Sequence, residues 1–273
     1  MKKLILPIAL LFFGLSVQAQ KNYIRPYVGY GIGVPGNQAF EFETDDNGFT
    51  DRSVILDLSG GLRAGAAFGF FFSENLGLEL NLNYQNNLGQ NLENTSSFMD
   101  FDGTIITSST SATFNSFSVN FAPLVHLQIQ KSSLKPFLSV GPNIMLAGMS
   151  VNENITDNFG ESEEETQFNP SVSLGFLGNA GVEIALADNL NLSLALQYQM
   201  AFYSPNSSEV VSYKINGENE LSSLTTEEKE TIYESEISQS FDDPNNPDEP
   251  TTSLKTRLDF SSVNLVVGLV ILL

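Results

Sequence analysis

The chain has 273 residues, with 12 Lys or Arg against 32 Asp or Glu, a formal net charge of −20 and no cysteine. Acidity of that size repels a phosphate backbone and excludes nucleic acid as a partner. A chain without cysteine has neither a disulfide scaffold nor a lipid-modified cysteine, so the exported protein is held by its fold alone.

The first element is an export signal. Lys2 and Lys3 give a positive start, Leu4 to Leu15 an apolar core, and Val17-Gln18-Ala19 a small-residue cleavage site. Residues 1–20 are read as a signal peptide and 21–273 as the exported domain. The apolar run is too short for the roughly 20 residues of a membrane-spanning helix. The greasiest segment elsewhere, Val263 to Leu273, is short for a helix and suits a tilted membrane strand of roughly 9 to 11 residues.

Eight strands are predicted in chain order: Asn22 to Val34, Ser53 to Phe72, Leu76 to Gln90, Thr110 to Ile129, Lys135 to Asn152, Asn169 to Leu186, Asn189 to Tyr203 and Leu254 to Leu273. The third and seventh repeat one pattern. Ser73-Glu74-Asn75-Leu76 leads into Leu78, Leu80, Leu82 and Tyr84, and Ala187-Asp188-Asn189-Leu190 leads into Leu192, Leu194, Leu196 and Tyr198. Polar or small residues fill the alternate positions, the period of two of a strand with one apolar face. A β-sandwich strand also buries one face. Strand length and charge distribution separate the two folds.

Most of these strands run 13 to 20 residues, against about 5 or 6 in a usual globular strand. Their connections alternate. Ser73 to Asn75, Gln130 to Leu134 and Ala187 to Asp188 are tight, whereas Pro35 to Arg52, Asn91 to Ser109, Ile155 to Phe168 and Ser204 to Ser253 are long and hold 25 of the 32 acidic residues. Short turns at one end and long loops at the other predict an all-β fold: an eight-stranded antiparallel up-and-down transmembrane β-barrel with long extracellular loops. At a tilt near 40°, Tyr84 and Tyr198 stand roughly 23 Å above the periplasmic turns, at the upper aromatic girdle, with Phe70 and Phe72 near the lower one. In the acidic loop 204–253, Glu209 to Ile215 with Asn216-Gly217 could seed a hairpin and raise the count to ten. Thr225 to Ser235 reads as a short helix with a Thr225 and Glu228 capping box.

The segment Phe117-Ser118-Val119-Asn120-Phe121-Ala122-Pro123-Leu124-Val125-His126-Leu127, followed by Lys135-Pro136-Phe137-Leu138-Ser139-Val140-Gly141-Pro142-Asn143, resembles the central hairpin of the OmpA-like, porin-family outer-membrane β-barrel domains. The likeness extends to the layout of the whole mature chain. It implies an eight-stranded barrel in the outer membrane of a Gram-negative bacterium and no shared catalytic residues. The sequence departs from the family in two places: no peptidoglycan-binding domain follows the last strand, and the final residue is Leu273 where assembly signals end in an aromatic.

Alternation places Arg25, Asp57, Arg63, Glu79, His126, Glu183, Arg257 and Asp259 on the lumen face. Eight strands enclose a space that side chains just about fill, so these charges form a polar plug or a narrow gated pore. A change of register between Phe260 and Val263 suggests a bulge at Ser261-Ser262. Gly29-Tyr30-Gly31-Ile32-Gly33 lacks the helix that a phosphate-binding loop requires, and Asp45, Asn47 and Gly48 lack the closing Glu of a calcium loop. The one histidine, His126, lies low in the lumen, away from outer-leaflet substrates, so no enzyme activity, catalytic residue, cofactor or specific metal site is expected. The expected function is a structural or surface-binding role through the acidic loops, with a small pore for ions or little solutes as the alternative. The expected partners are outer-membrane lipid and lipopolysaccharide, with weak divalent cation binding at the loops, and the protein is read as a monomer.

Overall fold

The computed structural model describes residues 22–34, 36–45, 48–87, 89–99, 105–129, 133–237 and 247–273. The signal peptide and the acidic stretch from Asp242 to Asn246 lie outside them. Strand β1 (Asn22–Gly33) turns Tyr23, Arg25 and Tyr27 inward and Ile24, Val28 and Tyr30 outward. An outer hairpin, β2 (Asn37–Asp45) and β3 (Gly48–Leu56), leads to β4 (Gly61–Phe71). A tight turn follows, in which Phe72 and Ser73 both donate their N–H to the Leu76 carbonyl. Strand β5 (Leu76–Asn86) rises from it and continues as β6 (Gln90–Met99).

Three tall strands come next: β7 (Ile105–Gln128), β8 (Leu134–Asp157) and β9 (Gly160–Ala187), of 24, 24 and 28 residues. Strand β10 (Leu190–Met200) returns upward. Above it stand β11 (Phe202–Tyr203), β12 (Ser207–Ile215), β13 (Glu218–Asn219), the one-turn helix α1 (Thr226–Lys229), β14 (Glu230–Glu234), β15 (Thr251–Leu254) and β16 (Leu258–Asp259). Strand β17 (Ser262–Leu272) descends to the end.

Eight strands close a ring in the order β1, β4, β5, β7, β8, β9, β10, β17, and each neighbouring pair is antiparallel. Its outer surface is a belt of exposed Leu, Val, Ile and Phe with Tyr30, Tyr84 and Tyr198. Apolar side chains turned outward over a polar interior match a hydrocarbon surround. Glycines let large lumen side chains fit. A Cβ at Gly69 would lie 2.1 Å from the Tyr23 ring, and one at Gly31 would strike the Asn264 amide.

The long connections are largely strand. Outside the ring, β6, β2 and β3 continue the sheet on the β7 side, and β12, β14 and β15 continue it on the β9 side. Ser207–Ile215 therefore adds to the upper extension of β9 and not to the ring, which keeps eight strands. The helix at Thr225 ends after four residues because Glu230 already enters β14, although its capping box is complete, with Glu228 N–H donating to Thr225 Oγ1 at 3.3 Å and Thr225 N–H to Glu228 Oε2 at 2.8 Å. The segment read as one strand from Ser53 to Phe72 breaks at Asp57 to Gly60. There the Asp57 carboxylate accepts N–H bonds from Gly33 (2.7 Å), Ser59 (3.1 Å) and Gly60 and folds the chain into a turn.

The expected bulge at Ser261-Ser262 is not formed. Gln199 pairs with Ser262 and Phe202 with Asp259, one unbroken register along β10–β17 and β11–β16. The described register shifts lie elsewhere, between Ala147 and Met149 of β8, between Leu190 and Asn191 of β10, and between Val210 and Ser212 of β12.

Candidate functional site: the lumen and the outer wall

The lumen is filled in layers. Lowest is a charge layer, where Arg25 Nη2 donates to Glu79 Oε2 at 2.6 Å and Oε1 at 2.8 Å, and Tyr23 donates its hydroxyl to Glu79 Oε2 at 2.6 Å. Arg25 Nη1 stands 4.0 Å from Glu183 Oε1, and Asn191 donates to the other Glu183 oxygen at 3.0 Å. His126 belongs to this layer. Its Nδ1 is 2.8 Å from Ser139 Oγ and 3.6 Å from Glu79 Oε2, and its ring stacks on Phe137 and meets Phe71 edge-on. The Arg25 guanidinium lies 4.7 Å above the same Phe137 ring. Pairing of both signs is what makes burial of such charges tolerable.

Above it runs an amide ladder. Tyr27 donates to Asn81 (2.7 Å), Asn83 to Asn81 (3.1 Å), Asn120 to Asn83 (3.1 Å) and Asn143 to Asn120 (2.8 Å), which ties β1, β5, β7 and β8 together. Next comes Arg63, fully buried. It donates to Gln85, Gln197, Gln199 (2.8 Å) and Ser262 (3.5 Å), and among the described residues it makes no ion pair. Leu58, Met145, Met149, Tyr203 and Phe260 then close the mouth as an apolar plug, with the Tyr203 and Phe260 rings 5.3 Å apart. The cavity left between Arg25, Tyr27, Asn81 and Gln197 is about 10 Å³, room for about one water.

Arg25, Glu79, Glu183 and His126 thus meet in one layer, and Arg63 sits alone higher up. The other three expected lumen charges are placed elsewhere. Asp57 is half-buried at the rim, engaged by backbone N–H groups. Arg257 is exposed on the outer surface, its guanidinium 3.5 Å over the Phe202 ring. Asp259 takes the Ser261 N–H at 2.8 Å, and its backbone is bracketed by the Asn37 side chain. The unbroken register explains the last two: Phe260 and Ser262 turn inward, so Arg257 and Asp259 turn out. The amides Asn81, Asn83, Gln85, Asn120, Asn143, Gln197 and Gln199 were not among the candidates, although their place on the polar side of the alternation marks them.

On the outer side of the wall above the belt, Glu163 and Glu165 of β9 pair in register with Asn154 and Asn152 of β8 and with Lys214 and Ser212 of β12. They line a groove of about 350 Å³. Lys214 Nζ bonds Glu163 Oε2 at 2.7 Å, and that bond holds its ammonium above the ordinary lysine range. On the inner side Glu153 faces Glu164 directly, and burial first, then the Glu164 charge, push the Glu153 carboxyl up.

The profile of the outer membrane protein beta-barrel domain family matches residues 7–220. The chain belongs to this family. It is an outer-membrane protein of a Gram-negative bacterium, as the OmpA-like resemblance of its central hairpin implies. Among solved structures, this barrel is similar to Neisserial surface protein A (NspA), at 11% identity and a TM-score of 0.36, over 93% of this chain and 99% of that one. It is also similar to Ail, the attachment invasion locus protein of Yersinia pestis, at 8% identity and a TM-score of 0.33, over 94% and 100%. No curated protein matches the chain.

Proposed function

We propose that this outer-membrane barrel is a structural and surface-binding protein that works through its acidic outer wall. The observation that carries the reading is the layered lumen, where the cavity between Arg25, Tyr27, Asn81 and Gln197 holds about 10 Å³ and an ion path needs a continuous water column. The wall, by contrast, offers a groove of about 350 Å³ lined by Glu163, Glu165 and Lys214. With like charges spaced along β9, a divalent cation bridging the wall to lipopolysaccharide or to a partner relieves their repulsion. The protein acts as a monomer and without a cofactor in this reading.

The competing reading is a small pore. It requires Arg63 to leave Gln85, Gln197 and Gln199 and the plug to open. Recording from the refolded chain in planar bilayers separates the two: a silent bilayer with a heat-modifiable, folded band supports the binding role, and steady conductance steps sink it. Deleting Ser207 to Pro250 then tests the wall. Because β12 pairs with β9, the milder variant Glu163→Gln with Glu165→Gln accompanies it. Retention of calcium-dependent lipopolysaccharide binding by both would end the proposal.

A further inference from the structure

The lipid-facing side of β10 runs up through Leu194, Leu196, Tyr198 and Met200, all exposed. Phe202 continues that side. Four residues above Tyr198, in a strand tilted near 40°, it stands about 10 Å higher, at the depth of lipid headgroups. The Arg257 guanidinium carbon stands over the Phe202 ring, 3.5 Å from the centroid, a cation–π contact that seats the side chain on the aromatic face. Lys255, two residues away, is also exposed. The segment between them is pinned: Lys255 N–H donates to the Glu234 carbonyl at 2.8 Å, and Ser204 Oγ donates to the Thr256 carbonyl at 2.7 Å.

Among the described residues neither cation makes an ion pair. Asp259, on the same outward side as Arg257, already accepts the Ser261 N–H. Among the described residues Lys255 Nζ donates only to the neutral Asn206 side chain, so two cations without a described carboxylate partner stand two residues apart on a predominantly acidic rim. We propose that Lys255 and Arg257, seated on Phe202, bind the phosphorylated headgroup of an outer-leaflet lipid. A guanidinium fork beside an ammonium suits a phosphate. The acidic wall disfavours a free anion arriving from solution, whereas a lipid phosphate is held at this depth by its own acyl chains. This site is separate from the groove on β9 and does not depend on the function assigned to it.

The test mixes the refolded chain in detergent micelles with diphosphoryl lipid A and counts retained lipid by native mass spectrometry. Arg257→Gln and Lys255→Gln each lower retention about fivefold, the effect of about 1 kcal/mol per cation at an anionic membrane surface. Lys229→Gln on α1 leaves it unchanged. Both substituted side chains are exposed, and the heat-dependent gel shift verifies that each variant is folded. Undiminished retention in both variants overturns the proposal. So does an equal loss in Lys229→Gln, equal retention of dephosphorylated lipid A, or displacement of the lipid by millimolar inorganic phosphate, which would make the site one for a soluble anion.

Discussion

Arg25 offers one nitrogen to both oxygens of Glu79, at 2.6 and 2.8 Å, and both side chains are almost wholly enclosed. Removing one partner leaves a charge that the lumen cannot hydrate. Arg25→Met is expected to destabilise the barrel by about 3–5 kcal/mol, read as the shift of the urea unfolding midpoint in micelles. The double variant Arg25→Met with Glu79→Met should recover much of that loss. Additive losses would show that the two residues act separately.

Gly69 is the floor on which the Tyr23 ring lies. Gly69→Ala pushes the ring away and breaks its 2.6 Å bond to Glu79, with an expected loss of about 1–3 kcal/mol, as for overpacking. Gly217→Ala, where a Cβ meets nothing within 4 Å but φ is +81°, acts on the wall alone. The thermal gel-shift midpoint should therefore drop for the first variant and stay for the second.

The mouth and the Arg63 layer act in series. Tyr203→Ala with Phe260→Ala removes the plug but leaves Arg63 held among Gln85, Gln197 and Gln199, so planar-bilayer recordings should stay silent. Adding Arg63→Ala should still leave the bilayer silent, because the Arg25 layer and the amide ladder below it remain filled, and steps from this triple variant would show that those lower layers open by themselves. Steps from the plug variant alone would show that the guanidinium layer moves freely.

Glu153 faces Glu164 across β8 and β9, with Ala112 of β7 and Tyr213 of β12 as the flanking partners. A carboxyl whose pKa is raised in the folded wall binds its proton more tightly there than in the opened chain. The wall is thus firmest below the ordinary glutamate range and loosens as pH rises through the raised value, after which the effect is constant. Hydrogen exchange of the β8 and β9 amides, corrected for intrinsic rates, should show more opening at pH 7 than at pH 4. Glu153→Gln should flatten the difference.

The repeated strands Leu76 to Tyr84 and Leu190 to Tyr198 were legible because each lies between hydrocarbon and a polar lumen, so alternation reports position directly. Higher up that contrast vanishes. Glu161 to Gln167 has water on one side and a half-buried polar surface on the other, and its Ser, Thr and Glu residues read as loop although they form the beginning of β9. Arg257 and Asp259 were misplaced for the related reason that polar-inward holds only within the belt. Above it the inner side is apolar, with Phe260 and Tyr203, and water is outside. The amide ladder was legible in position but not in importance, since an uncharged Asn on a polar stripe carries no signal until its partners on three other strands are known.

The layer around Arg25 also bears on how the cylinder is completed. Glu79 reaches Arg25 from β5, through β4, whereas Glu183 reaches it from β9, through β10 and β17. The two carboxylates approach from opposite directions around the circumference, and the second arrives only when the last strand has found the first. Until then Arg25 has Glu79 alone and Glu183 waits without its cation. The presence of both carboxylates about Arg25, Glu79 in hydrogen-bond contact and Glu183 at 4.0 Å, is therefore a molecular report that the seam has closed in register, because a slip of one residue would turn Arg25 out into the lipid.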